Sequence, residues 1–194
     1  MPKVIDHDER RRQIIAVARQ LMVEGGFGAA TMRGIASAAG FANGALKHYF
    51  DGKEAIVEAT FDSVLQEMTE VMAGLEESGN PVANLRSYIS AALPLDSYRI
   101  SGARVLLALW EYASTNAHLA ERYREHLHFW GRQLGERISL VLGDSASADE
   151  VEALADEIIT VSIGANVASL LLPEETIIAR YQRYADDVMA RIAA

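Results

Sequence analysis

The stretch from Thr31 to Phe50, Thr-Met-Arg-Gly-Ile-Ala-Ser-Ala-Ala-Gly-Phe-Ala-Asn-Gly-Ala-Leu-Lys-His-Tyr-Phe, narrows the possible folds more than any other. A short helix begins after Thr31 and breaks at Gly40, and a second short helix is expected from about Asn43. Thr31 is a fitting N-cap, because its hydroxyl can satisfy a free backbone N–H of the first turn. Gly40 supplies left-handed backbone that ends the helix without a Cβ clash. Ile35, Ala36 and Ala39 form the inward face of the first helix; Leu46 and Phe50, four apart, form that of the second. Asn43, Gly44, Lys47, His48 and Tyr49 are left facing outward, a set with donors, acceptors and a cation. Two helices joined by a short glycine turn have helix-turn-helix geometry, which suits entry of the second helix into a DNA major groove. Helix–Gly–helix corners also occur in helical proteins at large, so spacing and charge have to decide between the two uses.

Charge favours the DNA use. The chain carries a formal net charge of −9, which looks wrong for a polyanion partner until it is divided. Residues 1–53 hold eight basic and five acidic side chains, a balance of +3, and the remainder stands at −12. All three lysines (Lys3, Lys47, Lys53) and the run Arg10-Arg11-Arg12 lie in the first part. A basic head on an acidic body confines attraction for phosphate to one end. Taken alone, the arginine run could equally be a solvated helix face.

The remaining sequence reads as helix throughout, giving an all-α chain of about nine helices with a break near residue 53 between head and body. The first helix runs from about Asp8 to Glu24, with Asp6 and Glu9 at capping-box spacing. A long helix from Gly52 to about Glu76 links head to body, and Ser78-Gly79-Asn80-Pro81 breaks the chain after it. Helices follow over about 81–93, 97–114 and 116–142, the last capped by Asn116. Ser147 with Glu150 opens another helix, and Pro173 precedes the final one. With no cysteine, disulfides, thiolate metal sites and thiol nucleophiles are excluded. No apolar run reaches membrane-spanning length and no signal segment is recognisable, so a cytoplasmic location without membrane contact is expected.

Residues from about Arg11 to Ile56 resemble the N-terminal domain of the TetR family of bacterial transcriptional regulators. The likeness rests on Ile15, Ala18, Gly25-Gly26-Phe27, Thr31-Met32, Ile35-Ala36, Ala39-Gly40, Gly44, Leu46, Tyr49-Phe50 and Lys53-Glu54. It implies a three-helix DNA-binding head over residues 1–53 and an effector-binding, dimerising body over residues 54–194. It also implies a regulator, more often a repressor, that reads a palindromic operator in double-stranded DNA. Asn43, Gly44, Lys47 and His48 would then face bases or phosphates, with Thr31, Arg33, Tyr49 and Lys53 on the backbone. Family members usually carry a tyrosine where Lys47 stands and often a serine or threonine at Ala42. Lysine holds a phosphate as a point charge on a flexible stem, so the operator cannot be borrowed from relatives.

From Val151 to Leu172 the apolar residues are too many for one buried stripe, and Ile177, Tyr181, Tyr184, Ala185, Val188 and Ile192 follow at helical spacing. These last two helices, about 150–192, are expected to pair with their symmetry mates in a homodimer, the arrangement TetR relatives use. An effector pocket is expected among the aromatics of the middle helices, with Trp110, Tyr123, His126, Trp130 and the polar Asn166 as first choices. The body from about Arg104 is similar to the choline-responsive BetI branch, which implies a cation–π cage. The same aromatics at helical spacing equally make ordinary core.

Catalysis is not expected. Glu125 and His128 form one Glu-x-x-His pair without the second that a carboxylate-bridged metal site needs. No nucleotide-binding glycine loop or nucleophile elbow is present, and no cofactor or metal is expected. A different class stays open: a helical sensor dimer whose head no longer reads DNA specifically.

Overall fold

A computed structural model describes residues 6–42, 44–75, 78–143 and 146–193. Among these, eight α-helices are found and no strand. They are α1 (His7–Gly25), α2 (Met32–Ala38), α3 (Lys53–Ala73), α4 (Pro81–Ala92), α5 (Ser97–Ala113), α6 (Ala117–Leu142), α7 (Ala148–Ala168) and α8 (Glu174–Ile192). Short 3₁₀ turns stand at Phe27–Ala29 and Ala45–His48. The second turn occupies the place where the ninth helix was expected.

The helix starts follow from side-chain chemistry. Asn80 accepts the amides of Val82 and Ala83 ahead of Pro81, and Asn116 accepts those of His118 and Leu119. Ser147 and Glu150 make the full reciprocal capping box. At α1 only half of the expected box forms. Asp6 accepts from Asp8 and Glu9, but the Glu9 carboxylate turns to Arg12 and Gln13 instead of reaching back. Arg12, one turn on, is the stronger partner because its hydrogen bond carries a charge on both sides.

The chain forms two compact units. The first runs up to Glu67 and takes in Arg104–Leu119; the second comprises Met68–Ala103 and Ala120–Ala194. In the first, Ile14, Ala18, Met22, Ile35, Ala36, Leu46, Ile56 and Phe61 are buried, and Arg19 pairs with Glu67 between α1 and α3. In the second, Leu85, Ile89, Leu134, Ile138, Ile158, Val188, Met189 and Ile192 make one core from α4, α6, α7 and α8. Its buried Ser162 hydroxyl donates to the Ala92 carbonyl at 2.6 Å, which satisfies one of the free carbonyls at the end of α4.

Candidate functional site

The candidate nucleic-acid surface is the corner between α2 and the 3₁₀ turn at Ala45–His48. Thr31 Oγ1 accepts the Gly34 amide at 3.0 Å, the expected N-cap. At the other end Gly40 has φ 72°. The Phe41 N–H donates to the Ala36 carbonyl at 2.8 Å, and the Gly40 N–H to that of Ser37 at 3.3 Å. These two bonds are a Schellman closure, and they need the left-handed residue between them.

The segment that follows tightens into 3₁₀ form. The amides of Ala45, Lys47 and Tyr49 donate three residues back, to Ala42 at 2.9 Å, Gly44 at 3.3 Å and Leu46 at 2.9 Å. Between Gly44 and Asp51-Gly52 there are too few residues to offset the cost of nucleating an α-helix. Rotation is fixed instead by Leu46 and Phe50, which are buried as their spacing predicts. Burying Leu46 contributes about 2 kcal/mol. Lys47 and His48 are thereby turned out to solvent, as is Arg33 on α2. Among the described residues, none of these three cations or potential cations makes a hydrogen bond or ion pair.

The other predicted contacts are placed differently. Gly44 is exposed, and Asn43 lies outside the described residues. Tyr49 is half-buried, its ring centroid 4.9 Å from that of His7 and 5.6 Å from that of Phe41. Lys53 Nζ lies 4.0 Å from the Phe27 ring centroid and 3.4 Å from the Phe27 carbonyl oxygen, and Phe27 also stacks on Tyr112 of α5 at 5.0 Å. Lys53 is thus already engaged with its own protein.

Arg11 is the residue that sequence reasoning missed. Its guanidinium donates to the Tyr49 carbonyl, which closes the turn, and lies 4.1 Å from the Phe50 ring centroid. Arg10 covers Phe41 at 5.5 Å, and Arg12 pairs with Glu9 at 2.8 Å. No local pattern could reveal the Arg11 contact, because its partner is 38 residues away.

A second candidate site lies inside the second unit. A slot of about 250 Å³, counted to its open mouth, is walled by Met68, Thr69 and Met72 of α3, Tyr88 of α4, and His126, Phe129 and Trp130 of α6. It is narrow, admitting little more than a water-sized sphere. Burial lowers the pKa of His126 and pushes that of the Tyr88 phenol up to about 12. The Arg137 guanidinium sits 4.4 Å from the Tyr88 ring centroid. Trp130 is 6% exposed, and its buried Nε1 has no hydrogen-bond partner among the described residues.

Of the residues expected around an effector, His126 and Trp130 come together here, and Tyr123 stacks on His126 at 6.5 Å without lining the slot. Trp110 belongs to the first unit. Asn166, half-exposed on α7, is not among the lining residues. Met68 and Met72 were not anticipated; their i, i+4 spacing on one face of α3 was the available signal.

Along α7 the apolar excess is only partly covered. Ala155, Ile158, Ile159 and Ala165 are buried, but Val167 stays exposed, as do Thr160 and Gly164, and so do Leu170 and Leu171 in the turn that follows the helix.

Comparison with known proteins places both parts. A family model described as bacterial regulatory proteins, tetR family, matches residues 14–60. One described as BetI-type transcriptional repressor, C-terminal, matches residues 81–194. The HTH-type transcriptional regulator BetI 2 of Chromohalobacter salexigens is 31% identical over 113 residues, covering 57% of this chain and 55% of that protein. The BetI regulator of Rhizobium meliloti is 27% identical over 157 residues, covering 80% of this chain and 75% of its own. The match therefore spans little more than half the length of the first relative and three quarters of the second. A transcriptional regulator from Saccharomonospora viridis, solved in complex with choline, superimposes with a TM-score of 0.83 over 94% of this chain and 96% of that one. At 18% identity that likeness is one of fold.

Proposed function

The chain belongs to the tetR family of bacterial regulatory proteins, with a C-terminal domain of the BetI type, and on that premise we propose that it is a homodimeric, ligand-released repressor. The head, residues 1–53, reads a palindromic operator in double-stranded DNA, and the body, residues 54–194, dimerises and holds a small-molecule effector. The observation that carries the reading is the exposed, unengaged set Arg33, Lys47 and His48 on a corner whose backbone is closed at both ends. Asn43, Gly44, Lys47 and His48 meet bases or phosphates, and Thr31, Arg33 and Tyr49 lie along the backbone. Lys53 joins them only with hydrogens not already turned to Phe27.

Dimerisation uses α7 and α8. Thr160, Gly164 and Val167 are exposed at helical spacing on α7, and the small first two let a partner helix approach closely. A twofold dimer would set its two heads about 34–36 Å apart, one turn of duplex. The effector enters the slot beside Trp130. Lys53 and the slot residues Met68 and Met72 belong to one helix, α3, so a shift of that helix reaches the head. A ligand drives such a shift only by the difference in its affinity for the two shapes. A DNA partner fits a cytoplasmic location.

Selection of bound DNA from a random pool tests the reading. Recovery of an inverted repeat supports it. A head that merely attracts phosphate would recover no repeat, and its affinity for all duplexes would fall together as salt rises.

A further inference from the structure

We propose, building on the dimer through α7 and α8, that the open groove between α6 and α7 seats α8 of a second copy of the chain. That makes α6 a third helix of the interface, and charge decides how the partner helix lies in it.

The groove holds about 1340 Å³, counted to its open mouth. Its floor is apolar, with Leu127 and Gly131 of α6 meeting Val151 and Ile159 of α7. Its walls differ in sign. Arg124, His128 and Arg132 line the α6 side at helical spacing, and Glu152 and Asp156 line the α7 side. All five are exposed. Arg124 pairs with Glu121 of its own helix, and the Arg132 guanidinium lies 5.9 Å from the Phe129 ring centroid. His128, Glu152 and Asp156 make no hydrogen bond or ion pair among the described residues. No ion pair therefore crosses the groove, and its two walls are open to an occupant with one acidic and one basic flank. Asp156 also begins the exposed row Asp156, Thr160, Gly164, so the groove is continuous with the α7 face assigned to the dimer.

The outward face of α8 has that pattern. Glu175 and Asp186 are exposed on one flank, Ala179 and Ala190 along the crest, and Arg180 and Arg191 on the other flank. Each pair is about three helical turns apart, which keeps it in line. Arg183 adds to the basic flank and Asp187 offsets only part of it. Contacts within the chain tell the flanks apart. Arg191 bridges to Glu157 of α7 at 2.5 Å, and Asp186 to Arg86 of α4 at 2.5 Å. The basic flank of α8 therefore adjoins α7 and the acidic flank adjoins α4.

Twofold symmetry turns this order into a match. When two copies stack face to face about an axis along the helices, the sequence α6, α7, α8, α4 runs in opposite directions in the two. The partner's α8, set over the groove, then has the flank nearest its own α7 above α7. Its other flank, nearest its own α4, lies above α6. Basic side chains come over Glu152 and Asp156, and acidic ones over Arg124, His128 and Arg132. The small crest residues Ala179 and Ala190 let the helix sink towards the apolar floor.

A charge exchange in the full chain tests the seat. One variant, Arg124→Glu with Arg132→Glu, makes both walls acidic; the other, Glu175→Arg with Asp186→Arg, makes both flanks of α8 basic. Circular dichroism confirms that each is folded. Alone, each variant sets like charges against each other at both symmetry-related contacts. Its dimer dissociation constant, from sedimentation equilibrium at low salt, is expected to rise about tenfold or more. In an equal mixture the heterodimer has opposite charges at both contacts, so dimers should return to within about threefold of the unaltered constant. The contrast should shrink as salt rises. If either pair fails to fold, Arg132→Glu and Glu175→Arg carry the same test with a smaller contrast. Variants that dimerise alone as tightly as the unaltered chain overturn the seat, and so does a mixture as weak as its parts. With a dimeric unaltered chain those results leave the α7 contact standing. An unaltered chain that is monomeric overturns the dimer and the seat together.

Discussion

At Phe50, Phe27 and Phe41 of the first unit a cation lies over an aromatic ring; in the second, Tyr88 and Phe129 carry Arg137 and Arg132 in the same way, but together with Trp130 they also wall a narrow slot. The same two kinds of side chain serve opposite ends. In the first unit Arg11 and Lys53 are held against their own protein, Arg11 on the turn and Lys53 on Phe27, while Lys47, His48 and Arg33 stay on display. In the second unit, among the described residues, no acidic or basic side chain except the half-buried His126 imidazole lines the slot. One region displays its cations to solvent; the other packs them on the outer side of rings that wall a mostly apolar slot.

The strongest way to break the contrast is to separate the two bodies without touching either unit's interior. A Cβ on Gly164 would meet nothing within 4 Å in the single chain, so Gly164→Arg should leave the fold and its melting temperature intact. Against a partner helix the same arginine would clash. Light scattering should show a monomer, and operator affinity should fall by at least about 100-fold, since linking two sites is worth roughly 10²–10⁴. A dimer that survives this change would move the interface away from α7.

Next come the two classes of cation in the head. Arg11→Ala removes the clamp on Tyr49 and Phe50, and should lower operator affinity by about tenfold or more, the scale of a hydrogen bond from a charged donor. Lysine there keeps the charge but not the flat stacking plane, so Arg11→Lys should rescue little. Lys47→Ala should act differently, weakening all duplexes alike and lowering the slope of log affinity against log salt by about 1 per head. Fluorescence anisotropy across a salt series separates the two. If both variants shift the slope equally, Arg11 touches phosphate and the distinction between held and displayed cations is lost.

A smaller effect is expected at the corner's cap. Thr31→Ala should cost about 1 kcal/mol in urea unfolding, the value of one N-cap, and leave the ratio of operator to random duplex nearly unchanged. A change in that ratio larger than the change in stability would give Thr31 a part in reading bases beyond its place along the backbone.

How far each region was legible follows from the range of its interactions. Thr31, Gly40, Asn116 and Ser147 act within a few residues, and sequence places them correctly because backbone hydrogen-bonding needs are local. Leu46 and Phe50 were legible through spacing, although the 3₁₀ form was not: it depends on flanking breaks that leave the segment too short. Arg11 reads as one of three like arginines, and only the fold shows that its partner is Tyr49. In the body, His126 and Trp130 share one helix and were found together. Met68, Met72 and Tyr88 reach them from other helices, across distances that no periodicity encodes. Trp110 was grouped with Trp130 because both sit on apolar stripes, but a stripe gives a direction of burial and not a neighbour.

The finest test of the contrast is the pH dependence of the slot. Burial lowers the pKa of His126 below the 6.5 of a free imidazole, so the unfolded chain takes up its proton first as pH falls. Wherever the unfolded state binds more protons, stability rises with pH. The native chain should therefore show no contribution from His126 well above pH 6.5. Below that pH it should lose stability, and the loss should level off once the folded imidazole is protonated too. His126→Gln removes the group, and the difference in melting temperature between pH 8 and pH 5.5 should shrink. The other four histidines are common to both proteins and cancel in the comparison. If the two proteins lose stability equally on acidification, the slot tolerates an imidazolium as readily as water does. The slot would then no longer differ from the surface of the head in its treatment of charge.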